Sequence, residues 1–260
     1  VEKLSIALLL EGVYRHYGYD FRNYSYPSIR RRILNRLQGE GLASILGLLD
    51  LVLHDRGAMD RLIADFSINV TEMFREPGFF RAFRRRIVPV LRTYPVIRIW
   101  HAGCSTGEEV YSMAILLHEE GLYHKTMLYA TDMNDKVLQL ASQRLFPLHR
   151  MQLYTRNYLQ SGGEEAFSQY YSVKDGGVEF KSYLAENIIF SQHNLATDHS
   201  FNEFHVIICR NVLIYFNEVL QRRVLRLFEE SLVPAGFLGL GNKEGLLRAH
   251  AVSFEELDAK

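Results

Sequence analysis

The sequence predicts an α/β protein whose larger part is a doubly wound, mostly parallel sheet, preceded by an all-helical N-terminal domain. In the larger, C-terminal part of the chain, short apolar runs alternate with amphipathic segments, as expected for successive βα units. Residues 1–70 instead place apolar side chains at helical spacing throughout. Residues 147–186 interrupt the alternation with a Tyr-rich polar stretch, which we interpret as a small inserted β-subdomain because unstructured loops of this length are uncommon. We therefore predict a helical domain at residues 1–75 and a sheet domain at residues 76–260.

Four helices are predicted in the N-terminal domain. The first ends near Gly18, and the other three cover residues 28–37, 42–54 and 59–66. A further helix begins at Pro77, a residue type favoured at a first helical position, and runs to about residue 91.

A basic stripe lies on the predicted helix at residues 28–37. Apolar side chains fall on one side of this helix, and the other side carries Arg31, Arg32 and Arg36. A solvated helix face and a surface that docks on an acidic partner both account for the stripe. The chain as a whole has no net charge, but residues 1–92 hold 15 Lys and Arg against 10 Asp and Glu. This local excess of positive charge favours an acidic partner for the front part of the chain.

Residues 97–109 are predicted to form a buried strand, a glycine turn and the start of a helix. The strand is the apolar run around Ile97 and Ile99. Gly103 and Gly107 allow the backbone to turn tightly and a ligand to approach the main chain closely. At the carboxyl edge of a parallel sheet, such a turn either holds an adenosine-type cofactor or only connects a strand to a helix.

The charges in this turn indicate which cofactor it holds. Glu108 and Glu109 occupy the place where a pyrophosphate would lie, and no Gly-Lys-Ser/Thr follows, so a dinucleotide or a nucleoside triphosphate would be repelled. A cofactor with a positively charged amino-acid tail, such as S-adenosylmethionine, suits the turn better. Asp132 ends the second predicted strand, 25 residues after Gly107, where a carboxylate accepts hydrogen bonds from ribose hydroxyls.

The remaining strands are predicted at residues 188–190, 204–209 and 237–240, with helices between them. Right-handed crossovers place the first and fourth strands of such a sheet side by side, so Cys104 and Asn211 are expected to flank one crevice. The polar residues of the connector before Pro77 are suited either to bind a cofactor tail or to cap helices.

Five motifs, in order along the chain, resemble those of one protein family. They are NVTEMFRE at residues 69–76, AGCSTGEEVYS at 102–112, ATD at 130–132, NL at 194–195 and CRNVLIYF at 209–216. On these residues the chain resembles the chemoreceptor glutamate methyltransferases of the CheR family. The family usually has Gly-His-Ser-Glu where residues 241–244 are Gly-Asn-Lys-Glu, so no role is carried over for that His-Ser pair.

The resemblance implies a class I S-adenosylmethionine-dependent methyltransferase fold and a set of site residues. The implied catalytic residues are Arg75 and Tyr215. The implied cofactor-binding residues are Asn69, Thr71, Arg75, Ala102, Gly103, Glu108, Glu109, Asp132, Asn194, Leu195, Asn211 and Val212. Either Glu108 or Glu109 would meet the amino group of the cofactor, and Asp132 its ribose. Arg75 would anchor a carboxylate of either the substrate or the cofactor tail.

The implied reaction is methylation of glutamate side chains on the cytoplasmic methylation helices of a transmembrane chemoreceptor, with S-adenosylhomocysteine as the product. A glutamate has a pKa of ~4.3 and is already ionised at neutral pH, so in-line transfer needs no general base. Arg31, Arg32 and Arg36 would dock on the acidic receptor helices. A methyltransferase acting on another substrate and a non-catalytic cofactor-sensing domain are the alternatives.

Several classes of function are not expected. No apolar run approaches the ~20 residues of a membrane helix, and we expect a cytoplasmic monomer that is not inserted in a membrane. The histidines lack metal-ligand spacing, so no metal site is expected, and no nucleic-acid partner is expected. Cys104 and Cys209 are expected to be reduced and not catalytic. The short glycine turn at residues 172–178 predicts that no C-terminal receptor pentapeptide is bound as a tether.

Overall fold

The structure of the protein is a computed structural model that describes residues 1–67, 71–174, 176–246 and 254–257. Five strands of the described chain form one sheet in the order β6-β2-β1-β7-β8, with every neighbouring pair parallel. These strands are β1 (Ile97–Ala102), β2 (Thr126–Asp132), β6 (Ile188–Gln192), β7 (Phe204–Cys209) and β8 (Leu232–Leu240). A small antiparallel sheet has the order β3-β5-β4, formed by β3 (Leu145–Phe146), β4 (Tyr171–Lys174) and β5 (Gly177–Phe180).

The α-helices fall into an N-terminal group and a group that surrounds the large sheet. The first group comprises α1 (Glu2–Tyr17), α2 (Tyr26–Gly39), α3 (Ile45–His54) and α4 (Arg56–Phe66). The second comprises α5 (Pro77–Ala82), α6 (Val88–Leu91), α7 (Glu108–Glu119), α8 (Asp135–Ser142), α9 (Met151–Gln160) and α10 (Glu218–Ser231). Among the described residues, none of these helices combines the length and apolar character needed to cross a membrane.

The N-terminal helices pack around a core of their own, as the helical spacing of apolar residues predicted. Helix α2 contributes three buried side chains to this core, those of Ile29, Ile33 and Leu37. The Ser44 hydroxyl accepts a hydrogen bond from the main-chain N–H of Gly47 and so caps the start of α3.

The large sheet is covered by helices on both faces, which confirms the predicted doubly wound fold. Side chains alternate along β1, so Ile97 and Ile99 join the apolar cluster that contains α7. Trp100 and Ala102 join the cluster on the other face, which contains α10. The predicted adjacency of the first and fourth strands is also confirmed, because β1 pairs with β7.

The predicted helix after Pro77 is interrupted by one π-helical turn at Phe83–Ile87. There the main-chain N–H of Val88 donates to the carbonyl of Phe83, five residues back. Pro89 has no N–H to offer the carbonyl of Arg85, and its ring disfavours a regular α-turn at that point. The wider turn lets the helix continue past the proline.

The inserted region and the helix before it differ from their predictions in three respects. It contains α9, which the sequence pattern did not indicate. The helix before it, predicted at residues 135–145, ends at Ser142 because Leu145 and Phe146 form β3 and pair with β5. The alternation of side chains at residues 178–181 predicts a short exposed strand, but β5 is largely buried, since Val178 and Phe180 both lie in the apolar core. The short hairpin itself is present, with Lys174 opposite Gly177.

Candidate active site

A pocket opens where the carboxyl ends of β1, β2 and β7 meet. This is the position at which the strand order of a doubly wound sheet reverses and at which ligands bind. Cys104 and Asn211 both line it, as predicted. The other lining residues that the sequence had singled out are Thr71, Arg75, Gly103, Glu109, Asp132, Asn194, Leu195, Val212 and Tyr215.

Three predicted cofactor residues are placed differently or are not described. Ala102 is buried in the cluster under α10 and does not line the pocket. Glu108 accepts a hydrogen bond from Thr106 at 2.6 Å and contacts the Tyr154 hydroxyl at 3.4 Å, and it does not line the pocket either. Burial raises the pKa of Glu108. Asn69 lies outside the described residues.

Glu109 is the acidic residue of the first turn of α7 that reaches the pocket. Its Oε1 lies 3.0 Å from Nδ1 of His101, and its Oε2 accepts a hydrogen bond from Arg210 at 2.8 Å. Burial acts to raise the pKa of Glu109, but the His101 hydrogen bond and the Arg210 charge outweigh it and hold the pKa below its ordinary value. Glu109 is therefore an ionised carboxylate.

Arg210 joins the segment around Arg75 to the end of β7. Its side chain is fully buried, and one guanidinium nitrogen donates to the main-chain carbonyl of Arg75 at 2.6 Å and to Glu76 at 3.0 Å. The guanidinium also lies 4.3 Å from the ring centre of Phe79. Buried Arg210 thus balances two carboxylates, Glu109 and Glu76, and fixes the backbone that presents Arg75.

Asp132 is held by the main chain at the end of β2. Its two carboxylate oxygens accept hydrogen bonds from the N–H groups of Ser105 and Asn134, each at 3.0 Å. Burial raises the pKa of Asp132, and these N–H groups oppose the rise only in part. The carboxylate is fixed in orientation and retains acceptor capacity toward the pocket.

Gly103 brings the main chain close to the pocket. Its φ is 81°, in the left-handed region that favours glycine. A Cβ at this position would lie only 2.7 Å from Cγ2 of Val212, across the crevice. A side chain here would close the space between the ends of β1 and β7.

Asn211 and Val212 are held in place by a carboxylate from the segment after β8. Asn211 has a φ of 61°, a strained conformation for a residue with a side chain. Glu244 accepts four main-chain N–H bonds, at 2.7–2.8 Å, from Asn211, Val212, Leu213 and Gly241. The glutamate is therefore the residue of the Gly-Asn-Lys-Glu segment that supports the pocket.

The N-terminal helices supply the remaining wall of the pocket. The main-chain N–H of Ser25 donates to the carbonyl of Tyr215 at 2.7 Å, and Tyr24 forms a β-bridge with Phe216. Pocket-lining residues that the sequence analysis had not proposed as site residues are Tyr24, Phe66, Ser67, Ser105, Met133, His193, Arg210 and Phe216. Arg210 lies inside a quoted motif, but no pattern assigned it a role. Tyr24 and Phe66 come from the N-terminal domain, where local sequence gives no sign of the pocket.

The three arginines of the basic stripe are not equivalent. Arg31 is exposed. Arg32 donates to the main-chain carbonyl of Asp65, and Arg36 pairs with the Asp65 carboxylate at 2.5 Å and with Glu40 at 3.2 Å. Two of the three arginines, Arg32 and Arg36, therefore bind partners within the N-terminal helices.

Neither metal nor thiol chemistry is favoured by the described part of the chain. There, no group of three or more His, Cys, Asp or Glu side chains is arranged to hold a metal ion. Cys104 and Cys209 are buried, and burial raises the pKa of each thiol well above its usual value. Neither thiol is prepared to act as a nucleophile.

Comparison with known proteins agrees with this geometry. A family model described as the CheR methyltransferase SAM binding domain matches residues 69–260, and one described as the CheR methyltransferase all-alpha domain matches residues 5–67. The chain belongs to the CheR methyltransferase family.

Relatives of this CheR-family protein match along nearly the whole chain. The Cher3 protein of Pseudomonas putida is 49% identical over 255 residues, which are 98% of this chain and 93% of that protein. The chemotaxis protein methyltransferase of Listeria monocytogenes is 28% identical and covers 90% of this chain and 87% of its own length. The one from Salmonella typhimurium is also 28% identical and covers 89% of this chain and 80% of its own length.

S-adenosylmethionine is the cofactor of this CheR-family methyltransferase. The pocket fits it, because an ionised Glu109 suits a cationic amino-acid tail and a fixed Asp132 suits a pair of hydroxyls. Gly103 leaves the room that an ordinary side chain would fill.

Replacement of Asp132 by Ala is expected to weaken binding of S-adenosylhomocysteine roughly 10- to 100-fold, because a charged hydrogen-bond acceptor is lost. Since burial raises the pKa of Asp132, protonation at falling pH removes this acceptor at a higher pH than for an exposed Asp. The affinity of the wild type should therefore drop as the pH is lowered, and the variant should lose that component of the drop. Calorimetric titration measures both effects.

The matched control is Asp135→Ala, which removes an exposed carboxylate at the start of α8. It should leave binding unchanged. If Asp132→Ala bound S-adenosylhomocysteine with wild-type affinity, Asp132 would not be a cofactor-binding residue.

Proposed function

We propose that this CheR-family protein transfers a methyl group from S-adenosylmethionine to glutamate side chains of a chemoreceptor. The products are a glutamate methyl ester and S-adenosylhomocysteine. The names of the relatives from Listeria monocytogenes and Salmonella typhimurium, chemotaxis protein methyltransferases, support this class of substrate. The choice of glutamate as the acceptor rests on the pocket.

The observation that carries the proposal is that the acidic groups of the described pocket are already engaged. Glu109 is bound by His101 and Arg210, and Asp132 by two main-chain N–H groups. Neither carboxylate is placed as a base to take a proton from a hydroxyl or amine acceptor.

The other candidate bases of the described pocket are no better suited. The raised pKa of Cys104 keeps it a thiol. His193 bonds the carbonyl of His199 through Nε2 at 3.1 Å, and its Nδ1 is enclosed by protein. A glutamate substrate needs no such base, because its carboxylate is ionised at neutral pH.

Bound S-adenosylmethionine supplies a methyl group on a sulfonium, which is electrophilic toward a carboxylate. Glu109 would receive the ammonium of the cofactor tail, and Asp132 would receive the ribose hydroxyls. Of the other residues implied by the family, Asn194, Leu195, Asn211 and Val212 would surround the adenine, and Asn69 and Thr71 would lie near the methionine end. Arg75 and Tyr215 would orient a carboxylate at the transfer end, where a planar guanidinium can make two parallel hydrogen bonds.

The walls of the pocket also limit access of water to the reacting groups. Tyr24 and Phe66 from the N-terminal domain and Phe216 from the sheet domain line the same pocket. An ionised carboxylate is a better nucleophile when water does not compete for its lone pairs.

The proposal is tested by incubating the protein with methyl-labelled S-adenosylmethionine and chemoreceptor-containing membranes. Label on the receptor that is released as methanol by mild alkali identifies a carboxyl methyl ester, and peptide mapping then locates the glutamates. Alkali-stable label, or label on another molecule, would assign a different acceptor. Cofactor binding without any transfer would indicate a cofactor-sensing domain.

Docking on acidic receptor helices is part of the proposal, with Arg31 as its principal residue, since Arg32 and Arg36 are held internally. In the same assay, Arg31→Glu should raise the KM for receptor severalfold and abolish much of its salt dependence, while kcat and cofactor affinity stay the same. Arg85→Glu, at another exposed position, is the control with the same change of charge. Equal KM values for the two variants would contradict this docking site.

The turn between β4 and β5 is short, with Lys174 opposite Gly177. It gives no support for binding of a receptor peptide as a tether, and the proposed function involves no such tether.

A further inference from the structure

His101 is a polar residue at a position that the fold alone would fill with an apolar one. It lies in β1, is completely buried, and is flanked in the strand by Trp100 and Ala102. Its Nδ1 contacts Glu109, but its Nε2 has no hydrogen-bond partner among the described residues. A buried polar atom without a partner is destabilising, so stability of the fold does not account for the imidazole.

The position of His101 in the strand explains its contact. Side chains alternate along β1, so His101 shares the face of Ile97 and Ile99, which is covered by α7. The first turn of α7 lies above the carboxyl end of β1, and Glu109 points back from that turn. The imidazole thus contacts the carboxylate from within the sheet, and His101 itself does not line the pocket.

Two donors on separate elements hold the two oxygens of Glu109. His101 engages Oε1 from β1, and Arg210 engages Oε2 from the end of β7. Arg210 is also shared with Glu76 and with the carbonyl of Arg75. With Arg210 alone, the carboxylate would keep one anchored oxygen and could rotate about its terminal bond, which has a broad torsional preference.

We propose that His101 is a positioning residue that fixes the carboxylate plane of Glu109, so that its unused lone pairs face the ammonium group of the S-adenosylmethionine tail. A carboxylate offers about four acceptor sites, and the two donors occupy two of them. In this arrangement Nδ1 carries the proton and donates to Oε1, and the unpartnered Nε2 is the cost of that orientation. The inference rests on the proposed role of Glu109 as the acceptor for the cofactor ammonium.

The test compares two ligands that differ in the amino-acid tail. S-adenosylhomocysteine carries the ammonium, and 5′-methylthioadenosine has the same nucleoside without it. His101→Leu should weaken S-adenosylhomocysteine about tenfold and leave 5′-methylthioadenosine unchanged, because only the first ligand uses Glu109. A general structural role of His101 would weaken both ligands equally, and that result would overturn the proposal.

Conservative variants keep the test decisive if the Leu variant folds poorly. The side-chain nitrogen of Asn sits close to the place of the histidine Nδ1, and that of Gln sits closer to the place of Nε2. His101→Asn should therefore retain the preference for S-adenosylhomocysteine, and His101→Gln should lose it. Equal preferences in the two variants would also overturn the proposal.

Glu109→Gln separates this inference from the proposed function. It should reduce the affinity ratio of S-adenosylhomocysteine to 5′-methylthioadenosine at least as far as His101→Leu does. An unchanged ratio would reject Glu109 as the acceptor for the ammonium, and the role of His101 would fall with it. A reduced ratio in Glu109→Gln together with a wild-type ratio in His101→Leu would reject only His101.

Discussion

The Glu244→Gln variant is expected to lose roughly 3–5 kcal/mol of folding stability and most of its affinity for S-adenosylmethionine. In the wild type, Oε2 accepts from the N–H groups of Asn211 and Gly241, and Oε1 from those of Val212 and Leu213. An amide replaces one oxygen by an NH₂ group, which would face two main-chain N–H donors at hydrogen-bonding distance. Both donors would lose their partner, and the strained turn at Asn211 would lose its anchor.

Thermal unfolding and calorimetric titration with S-adenosylhomocysteine measure the two effects. Glu230→Gln makes the same substitution at an exposed position of α10 and should behave as the wild type. A wild-type melting temperature for Glu244→Gln would mean that the four contacts contribute little to stability.

The Arg210→Met variant is expected to be destabilised by about 3–5 kcal/mol at neutral pH, because it leaves the partly buried carboxylates of Glu76 and Glu109 without the charge of the fully buried Arg210. For both carboxylates, burial acts to raise the pKa, and Arg210 contributes to holding it below the ordinary 4.5. A depressed folded-state pKa contributes stability above the unfolded-state pKa, and this contribution is lost as the pH falls through the folded-state value. The difference between wild type and variant should therefore be largest at neutral pH and should shrink below about pH 4.5.

Urea unfolding at pH 7 and at pH 4 measures this difference. Adding Glu76→Gln to Arg210→Met should restore part of the lost stability, because one unpaired charge is removed. Arg226→Met, at an exposed position of α10, is the control. Equal destabilisation by Arg210→Met at both pH values would show that Arg210 acts through packing on Phe79 rather than through its charge.

The strand order and the place of the pocket could be predicted because they depend on local patterns. The apolar runs of β1 and β7 indicate buried strands whatever surrounds them, and the handedness of crossovers then makes them neighbours. Cys104 and Asn211, which follow the ends of these strands, could therefore be placed in the pocket from the sequence alone.

The side-chain contacts that the sequence did not predict depend on distant partners. Arg36 has the pattern of an exposed docking residue, but its partner Asp65 is 29 positions away and reaches it only because α2 and α4 pack together. Glu244 accepts hydrogen bonds from the main-chain N–H groups of Asn211, Val212 and Leu213, which lie 31 to 33 positions earlier in the chain. No pattern within a helix or strand encodes either contact.

The choice between Glu108 and Glu109 has a geometric basis. Adjacent residues in a helix point about 100° apart, so the two carboxylates of one turn cannot share an environment. Sequence places both at the start of α7, and only the orientation of that helix on the sheet turns Glu109 toward the pocket and Glu108 toward Tyr154.

The contact between the N-terminal helices and the sheet domain makes the cofactor pocket depend on the folding of both domains. The side chains of Asn23 and Asn217 bond to each other across 194 positions, next to the bridge between Tyr24 and Phe216. Closing so long a stretch of chain has an entropic cost that only the finished sheet can offset. A chain that lacks β7, or whose N-terminal helices have not yet packed on the sheet domain, therefore has no complete pocket. The ability to bind S-adenosylmethionine accordingly reports that the N-terminal helices have packed onto the folded sheet domain.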